Sequence, residues 1–428
     1  MLRADFVIDN ASLVATCAGA APRRGPAQHD IAAVRNGSIA SRDGRIIFVG
    51  SASTLAAAIE VAPDAVRIDA AGGTVVPGFV DAHTHVVFAG DRRDELQRRL
   101  AGASYAEIAA QGGGIVKTVD ATRQASEEAL IAATAKRLDE MLACGTTTAE
   151  AKSGYGLTTE AELRQLRVIR ELDHGHPIDL VPTFMGAHEV PVEYRSRRGA
   201  YVQLLIDEML PAVRDEGLAE WCDVFCETGV FTPEESTAIL EAGKQAGLKP
   251  RIHADELGLS GGSRVAAAVG ARSADHLVFV DEEGADQMAA CGVCATLLPT
   301  AAFYLRIGRF APGRMLIERG VPVALASDVN PGGGFSPSMP FAMTLACFAM
   351  RLTLEEALVA ATINAAWSID RADRAGSLEP GKLMDAVIVE GELVDLIRVG
   401  APAIRAVIKK GRVVSGPGGV RPGSESDV

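Results

Sequence analysis

Over its first 72 residues the chain alternates apolar and polar positions in short runs, as in "ADFVIDN", "ASLVAT" and "GRIIFVG", separated by Gly and Asn-Gly signals. A period of two broken by such turns predicts antiparallel β-strands. The same texture returns after residue 376 in "GSLEPGKLMDAVIVEGEL" and "AIRAVIKKGRVVSG". Neither end can bury a core alone, so residues 1–72 and 376–428 are expected to pair into one small β-sandwich-like domain. The final "GPGGVRPGSESDV" is rich in Gly, Pro and Ser and is expected to be disordered.

Residues 73–375 read differently, with short apolar runs alternating with helical periods. Eight runs are candidate strands: Val75–Ala82, Thr146–Ala151, Leu180–Met185, Trp221–Cys226, Pro250–His253, Arg272–Leu277, Ala295–Pro299 and Pro322–Ala326. Two helix starts carry N-capping signals, Thr232-Pro233-Glu234-Glu235 and Thr353-Leu354-Glu355-Glu356. Eight strands separated by helices predict an α/β fold, a (β/α)8 barrel of the TIM type. A doubly wound open sheet is the alternative that the same alternation permits.

Composition narrows the partners. The charge balance is 42 − 55 = −13, which argues against nucleic acid or an anionic membrane surface, though local arginines can still bind a small anion. The chain has no apolar run of membrane-spanning length and no secretory leader pattern at Met1–Asp9. Seven cysteines, an odd count, suit a reducing cytoplasm better than a disulfide framework. Cys222, Cys226, Cys291 and Cys294 sit in or beside apolar runs, where thiols act as small hydrophobes rather than zinc ligands.

Chemistry in a barrel belongs at the C-terminal ends of its strands. His83 and His85 follow the first candidate strand, His188 the third, His253 and Glu256 the fifth, His276 the sixth and Asp328 the eighth. Five of the eight histidines therefore fall on one rim. In an extended segment residues i and i+2 point the same way, so His83 and His85 can face one ion while Thr84 faces away. With His253 and Asp328 they make a three-imidazole, one-carboxylate set, suited to zinc or iron with room for a water whose pKa falls toward neutrality. His174 and His176 share the spacing but precede the third strand, on the opposite rim, and are expected to form a solvated loop.

The stretches "PGFVDAHTH" and "GSLEPGKLMDAVIV" resemble the two ends of the catalytic domain in the amidohydrolase superfamily. "HTHVVFAGDR", "GASYAEIAAQGGGI", "AKSGYGLTTE", "TFMGAHEVP", "HADELGLSGG", "SADHL", "LLPTAAFYLR" and "SDVNPGGG" are together similar to its imidazolonepropionase family. The resemblance implies a metal-dependent hydrolase of cyclic amides, in histidine degradation, with zinc or iron at His83, His85, His253 and Asp328. It implies an acid–base role for Asp328, a proton donor in Glu256 and an oxyanion partner in His276. Arg92 then holds a substrate carboxylate, although beside Arg93 it can also be a solvated charge. Tyr105, Tyr155, His188, Asn330 and Gly332 match substrate- or product-contacting positions. Cys226-Glu227 stands where dinuclear members carry a bridging lysine, which implies one metal and a supporting place for Lys152. The family further implies a homodimer. Two departures, Gly333 and Gly334 after "NPG" and Glu189 after His188, leave an aromatic-ring deaminase as the alternative activity.

Overall fold

A computed structural model describes residues 2–103, 113–401 and 403–416. Its strands are β1 (Leu2–Ala15), β2 (Ala33–Arg42), β3 (Arg45–Ser51), β4 (Ile59–Asp69) and β5 (Thr74–Pro77). Then come β6 (Phe79–Asp81), β7 (Thr146–Lys152), β8 (Asp179–Ala187), β9 (Trp221–Cys226), β10 (Lys249–Ala254), β11 (Ser273–His276), β12 (Cys294–Leu297) and β13 (Val323–Leu325). The chain closes with β14 (Ala386–Val389), β15 (Ile404–Lys409) and β16 (Arg412–Ser415).

Strands β6 to β13 stand side by side in chain order, all neighbours parallel, with helices between them. This is the (β/α)8 barrel. The ring is closed just beyond β6 and β13: Asp328 donates its backbone N–H to His83 at 3.1 Å, and His85 donates to Val329 at 2.8 Å. Asp81 reinforces the seam by accepting from the Ser327 backbone N–H at 2.9 Å and from the Ser327 hydroxyl. The capping boxes at Thr232 and Thr353 both form, each contributing about 1 kcal/mol to its helix.

The terminal segments form one eight-stranded sheet in the order β16-β15-β14-β5-β1-β2-β3, with β4 also on β1. It is mixed rather than antiparallel. β1 pairs antiparallel with β2, but parallel with β4 through its first half and with β5 near its end. An irregularity between Ile8 and Ala11, with Asn10 at φ 58°, divides the two halves. Alternate side chains of the sheet enter different cores. Val75 packs into the sheet's own cluster, while its neighbour Val76 packs against the barrel.

The expected single strand Val75–Ala82 is two strands. It breaks at Pro77-Gly78, so β5 belongs to the terminal sheet and β6 to the barrel. The apolar run is continuous because both pieces are fully buried, which hides the join from periodicity. Lys409 of β15 adds a polar link between the two sheets, reaching Asp179 at the start of β8 at 2.8 Å and Asp385 at 2.7 Å. Among the described residues, no helix is long and apolar enough to cross a membrane.

Candidate metal centre and substrate cavity

The seam of the barrel sets the geometry of the site. The bond from Asp328 N–H to His83 carbonyl holds the end of β13 against the His83–His85 segment, so the two imidazoles and the carboxylate converge. His83 Nε2 lies 3.7 Å from Asp328 Oδ1, and His85 Nε2 lies 3.8 Å from the same oxygen. His253, from β10, brings its Nε2 to 3.3 Å from that of His85. Ligand atoms of His83, His85 and Asp328 all lie within 4.8 Å of one another, as do those of His83, His253 and His276.

These atoms are arranged for a cation. His83 Nε2 and Asp328 Oδ1 are buried without a hydrogen-bond partner, a costly state for any polar atom. Burial pushes His83 and His85 well below the usual imidazole range, with nearby Lys152 and histidines adding to it, so both rings are neutral donors. Burial raises the Asp328 carboxyl to about 8, against a hydrogen bond from Asn330. Neutral nitrogens and an oxygen facing an otherwise unmatched point fit zinc or iron.

Each of two imidazoles is held from behind by a carboxylate. Asp275 Oδ2 lies 2.6 Å from His83 Nδ1 and accepts from Arg251 at 3.0 Å. Asp223 Oδ1 lies 3.0 Å from His253 Nδ1. Such contacts protonate Nδ1 and leave the Nε2 lone pair for an ion. Neither aspartate was singled out from sequence, because their relation to the histidines is set by strand register. His253 pairs across β10–β11 with Asp275, and Asp223 belongs to the neighbouring β9.

Above the ligands lies a cavity of about 420 Å³. Glu256 and His276 sit beside the ligand set, with His276 Nδ1 and Glu256 Oε1 3.4 Å apart. Burial, reinforced by Asp328 and Glu227, raises Glu256 well above the carboxylate range. Burial likewise lowers His276 far enough to keep it neutral. Four non-glycine residues here hold left-handed backbone: Asp255 (φ 50°), His276 (φ 74°), Leu277 (φ 59°) and Asp328 (φ 54°). Strain of this kind, on the order of 1–3 kcal/mol per residue, collects where side chains are aimed for function.

The cavity walls carry the other expected residues. Arg92 is buried, pairs with Glu95 at 2.7 Å and lines the cavity beside Gly332. It is therefore no solvated surface charge. Tyr155 is buried between two glycines whose N–H groups donate to Glu162. His188 stacks on His85 at 4.8 Å between ring centroids, with Tyr155 at 5.2 Å from it. Asn330 lines the cavity while its amide braces its own loop, donating to Asp328 O and accepting from Gly332 N–H, each at 2.8 Å. Tyr105 and the C-terminal tail lie outside the described residues. Arg99, unmarked in the sequence reading, also lines the cavity and donates to the Gly332 carbonyl. Its one sequence signal is its place seven residues after Arg92, on the same face of the helix Arg93–Leu100.

The remaining histidine pair differs in part from expectation. His174 is exposed, in the last turn of the helix Thr159–Gly175, with Nδ1 2.6 Å from Arg170 O. His176 caps that helix, and its mostly buried ring lies 3.4 Å from Asp139 and accepts from Ile178 N–H at 3.1 Å. It braces the lead into β8 instead of lying in solvent. All seven cysteines are free.

Barrel and ligand cluster together define a metal-dependent hydrolase. The model of the amidohydrolase family matches residues 74–415. The chain is 49% identical to the imidazolonepropionase of Symbiobacterium thermophilum, over 97% of this chain and 99% of that one. It is 46% identical to that of Alkaliphilus metalliredigens, with the same coverage. Among solved structures, a zinc-bound adenosine deaminase from Xanthomonas campestris matches with a TM-score of 0.70 at 19% identity, covering 97% of this chain and 94% of that one, a likeness of fold. The chain belongs to the amidohydrolase family and, within it, to the imidazolonepropionases.

Proposed function

We propose that the protein hydrolyses the ring amide of 4-imidazolone-5-propanoate to N-formimidoyl-L-glutamate, the third step of L-histidine degradation. The observation that carries the substrate side is buried Arg92 in the wall of the cavity that opens on the ligand cluster. A guanidinium there can take the propanoate tail in a bidentate grip. Relatives at 46–49% identity over nearly the whole chain bear the name of this activity.

His83, His85, His253 and Asp328 would hold one zinc or iron ion, supplying a bound water of near-neutral pKa and a positive charge beside the substrate carbonyl. Asp328 would accept a proton as water adds to the carbonyl carbon. Glu256, kept protonated by its surroundings, can deliver a proton to the ring nitrogen as the C–N bond breaks. His276, in the cavity wall beside Glu256, would hydrogen-bond the developing oxyanion. Tyr155 and His188 would give the flat ring an aromatic wall, and Asn330 and Gly332, which line the same cavity, would meet the substrate or product. Tyr105 keeps its proposed contact on sequence grounds.

The partners follow the same reading: a small anionic substrate and a second copy of the chain. Free cysteines support a reducing cytoplasm. Loss of absorbance of 4-imidazolone-5-propanoate, run beside guanine and adenosine, tests the activity. Turnover of the imidazolone alone is expected. Deamination of a purine with the imidazolone untouched would overturn the substrate assignment.

A further inference from the structure

Lys152, the last residue of β7, has no accessible surface. Its ammonium donates to Glu150 Oε1 at 2.8 Å and to Asp223 Oδ2 at 2.7 Å. The second oxygen of each carboxylate reaches a different ligand segment. Asp223 Oδ1 accepts the His253 backbone N–H at 3.2 Å and lies 3.0 Å from His253 Nδ1. Glu150 Oε2 accepts the Thr84 backbone N–H at 3.1 Å, and the Glu150 carbonyl accepts the Thr84 hydroxyl at 2.6 Å. Thr84 lies between His83 and His85, and its carbonyl accepts the Lys152 backbone N–H at 3.1 Å.

One buried cation is thus joined, through two carboxylates, to the His-x-His segment on one side and to His253 on the other. Without it the two buried carboxylates would repel each other and lose the donor that ties them together. Asp223 and Glu150 would then no longer be held toward His253 and Thr84. Burial alone would weaken the lysine's hold on its proton, but Asp223 and Glu150 outweigh it and keep the ammonium charged.

We infer that Lys152 is a positioning residue of the metal centre, fixing His83, His85 and His253 relative to one another through Glu150 and Asp223. The inference rests on the metal centre proposed above but not on the identity of the substrate. If Lys152 merely fills the core, its removal lowers stability and leaves the ligands of the folded protein in place.

The test is zinc affinity of the full-length protein, by competition with a chromophoric chelator, together with the visible spectrum of the cobalt-loaded form. In Lys152→Met we expect zinc binding weakened by about tenfold or more, and altered cobalt bands, in protein whose circular dichroism is still folded. Wild-type affinity and spectrum in folded Lys152→Met would overturn the inference. Should that variant not fold, Glu150→Gln keeps the shape and removes one charge, loosening only the Thr84 arm. It is expected to weaken zinc by about threefold or more and to shift the cobalt bands. Unchanged affinity and spectrum there would overturn the inference equally. Neither readout uses substrate turnover, so failure here and failure of the proposed activity are separable.

Discussion

Gly332 rests directly against the guanidinium of Arg92: a Cβ at position 332 would lie 2.3 Å from Nη1. The glycine is required by close approach, since its absent side chain leaves the space that the arginine occupies. In Gly332→Ala the guanidinium must move from its place in the cavity wall, and with it the proposed grip on the propanoate. We expect KM to rise roughly tenfold, the loss of about one charge-assisted hydrogen bond, with kcat little changed. Steady-state kinetics on 4-imidazolone-5-propanoate decide this, and a fall in kcat at constant KM would place Arg92 elsewhere in the mechanism.

Positions 333 and 334 separate an adaptable neighbour from a rigid one. The atoms nearest a Cβ on Gly333 belong to the Leu305 side chain, from 3.0 Å, whereas one on Gly334 would lie 1.5 Å from the Asp328 carbonyl oxygen. Gly333→Ser is therefore expected to change kcat/KM by less than about threefold. Gly334→Ala must displace the backbone that aims Asp328 and is expected to lower activity by about a hundredfold. Equal behaviour of the two variants would show that this loop does not set the Asp328 position.

The proton-donor role proposed for Glu256 draws on burial, which raises its carboxyl well above the ordinary range. Glu256→Gln preserves the shape and removes the transferable proton. The expected result is a kcat lowered by about 10² to 10⁴ with metal content unchanged. Metal analysis beside the assay checks it, and near-normal kcat would assign the proton to another group.

The link between the two sheets gives a pH-dependent stability. Burial pushes the Asp179 carboxyl up, but Lys409 and Lys410 outweigh it and hold it below its ordinary value. A carboxyl depressed in the folded state stabilises fully above its unfolded pKa of about 3.9, and that contribution is lost as pH falls through the folded value. Asp179→Asn leaves Lys409 paired with Asp385. Its melting temperature is expected to lie about 2 °C below wild type between pH 5 and 8, the gap closing below about pH 4. A gap that widens in acid would contradict the assigned sign.

Much of the site was legible because strand-end histidines and aspartates keep local signatures. His83 and His85 were readable from a two-residue spacing, and Asp328 from the end of an apolar run. Lys152 was readable as a supporting residue but its partners were not, since Asp223, Asp275 and Glu150 sit within buried strands and meet the ligand segments through register and barrel closure. Thr84 shows the limit of face alternation: buried between His83 and His85, it turns into hydrogen bonds with Glu150 rather than toward solvent. The joint at Pro77-Gly78 was invisible because both flanking strands are buried alike. The parallel pairing of β1 with β4 and β5 was likewise beyond a pattern whose turns predicted hairpins.

The central claim, that His83, His85, His253 and Asp328 hold the ion that makes this chain a hydrolase of 4-imidazolone-5-propanoate, is tested most directly by His85→Ala. Initial rate and metal content are measured together for this variant and for wild type. Wild type is expected to hold about one equivalent of zinc or iron and to turn over the substrate, while His85→Ala retains less than about 0.2 equivalents and no measurable rate. Turnover that persists in metal-depleted His85→Ala would contradict it.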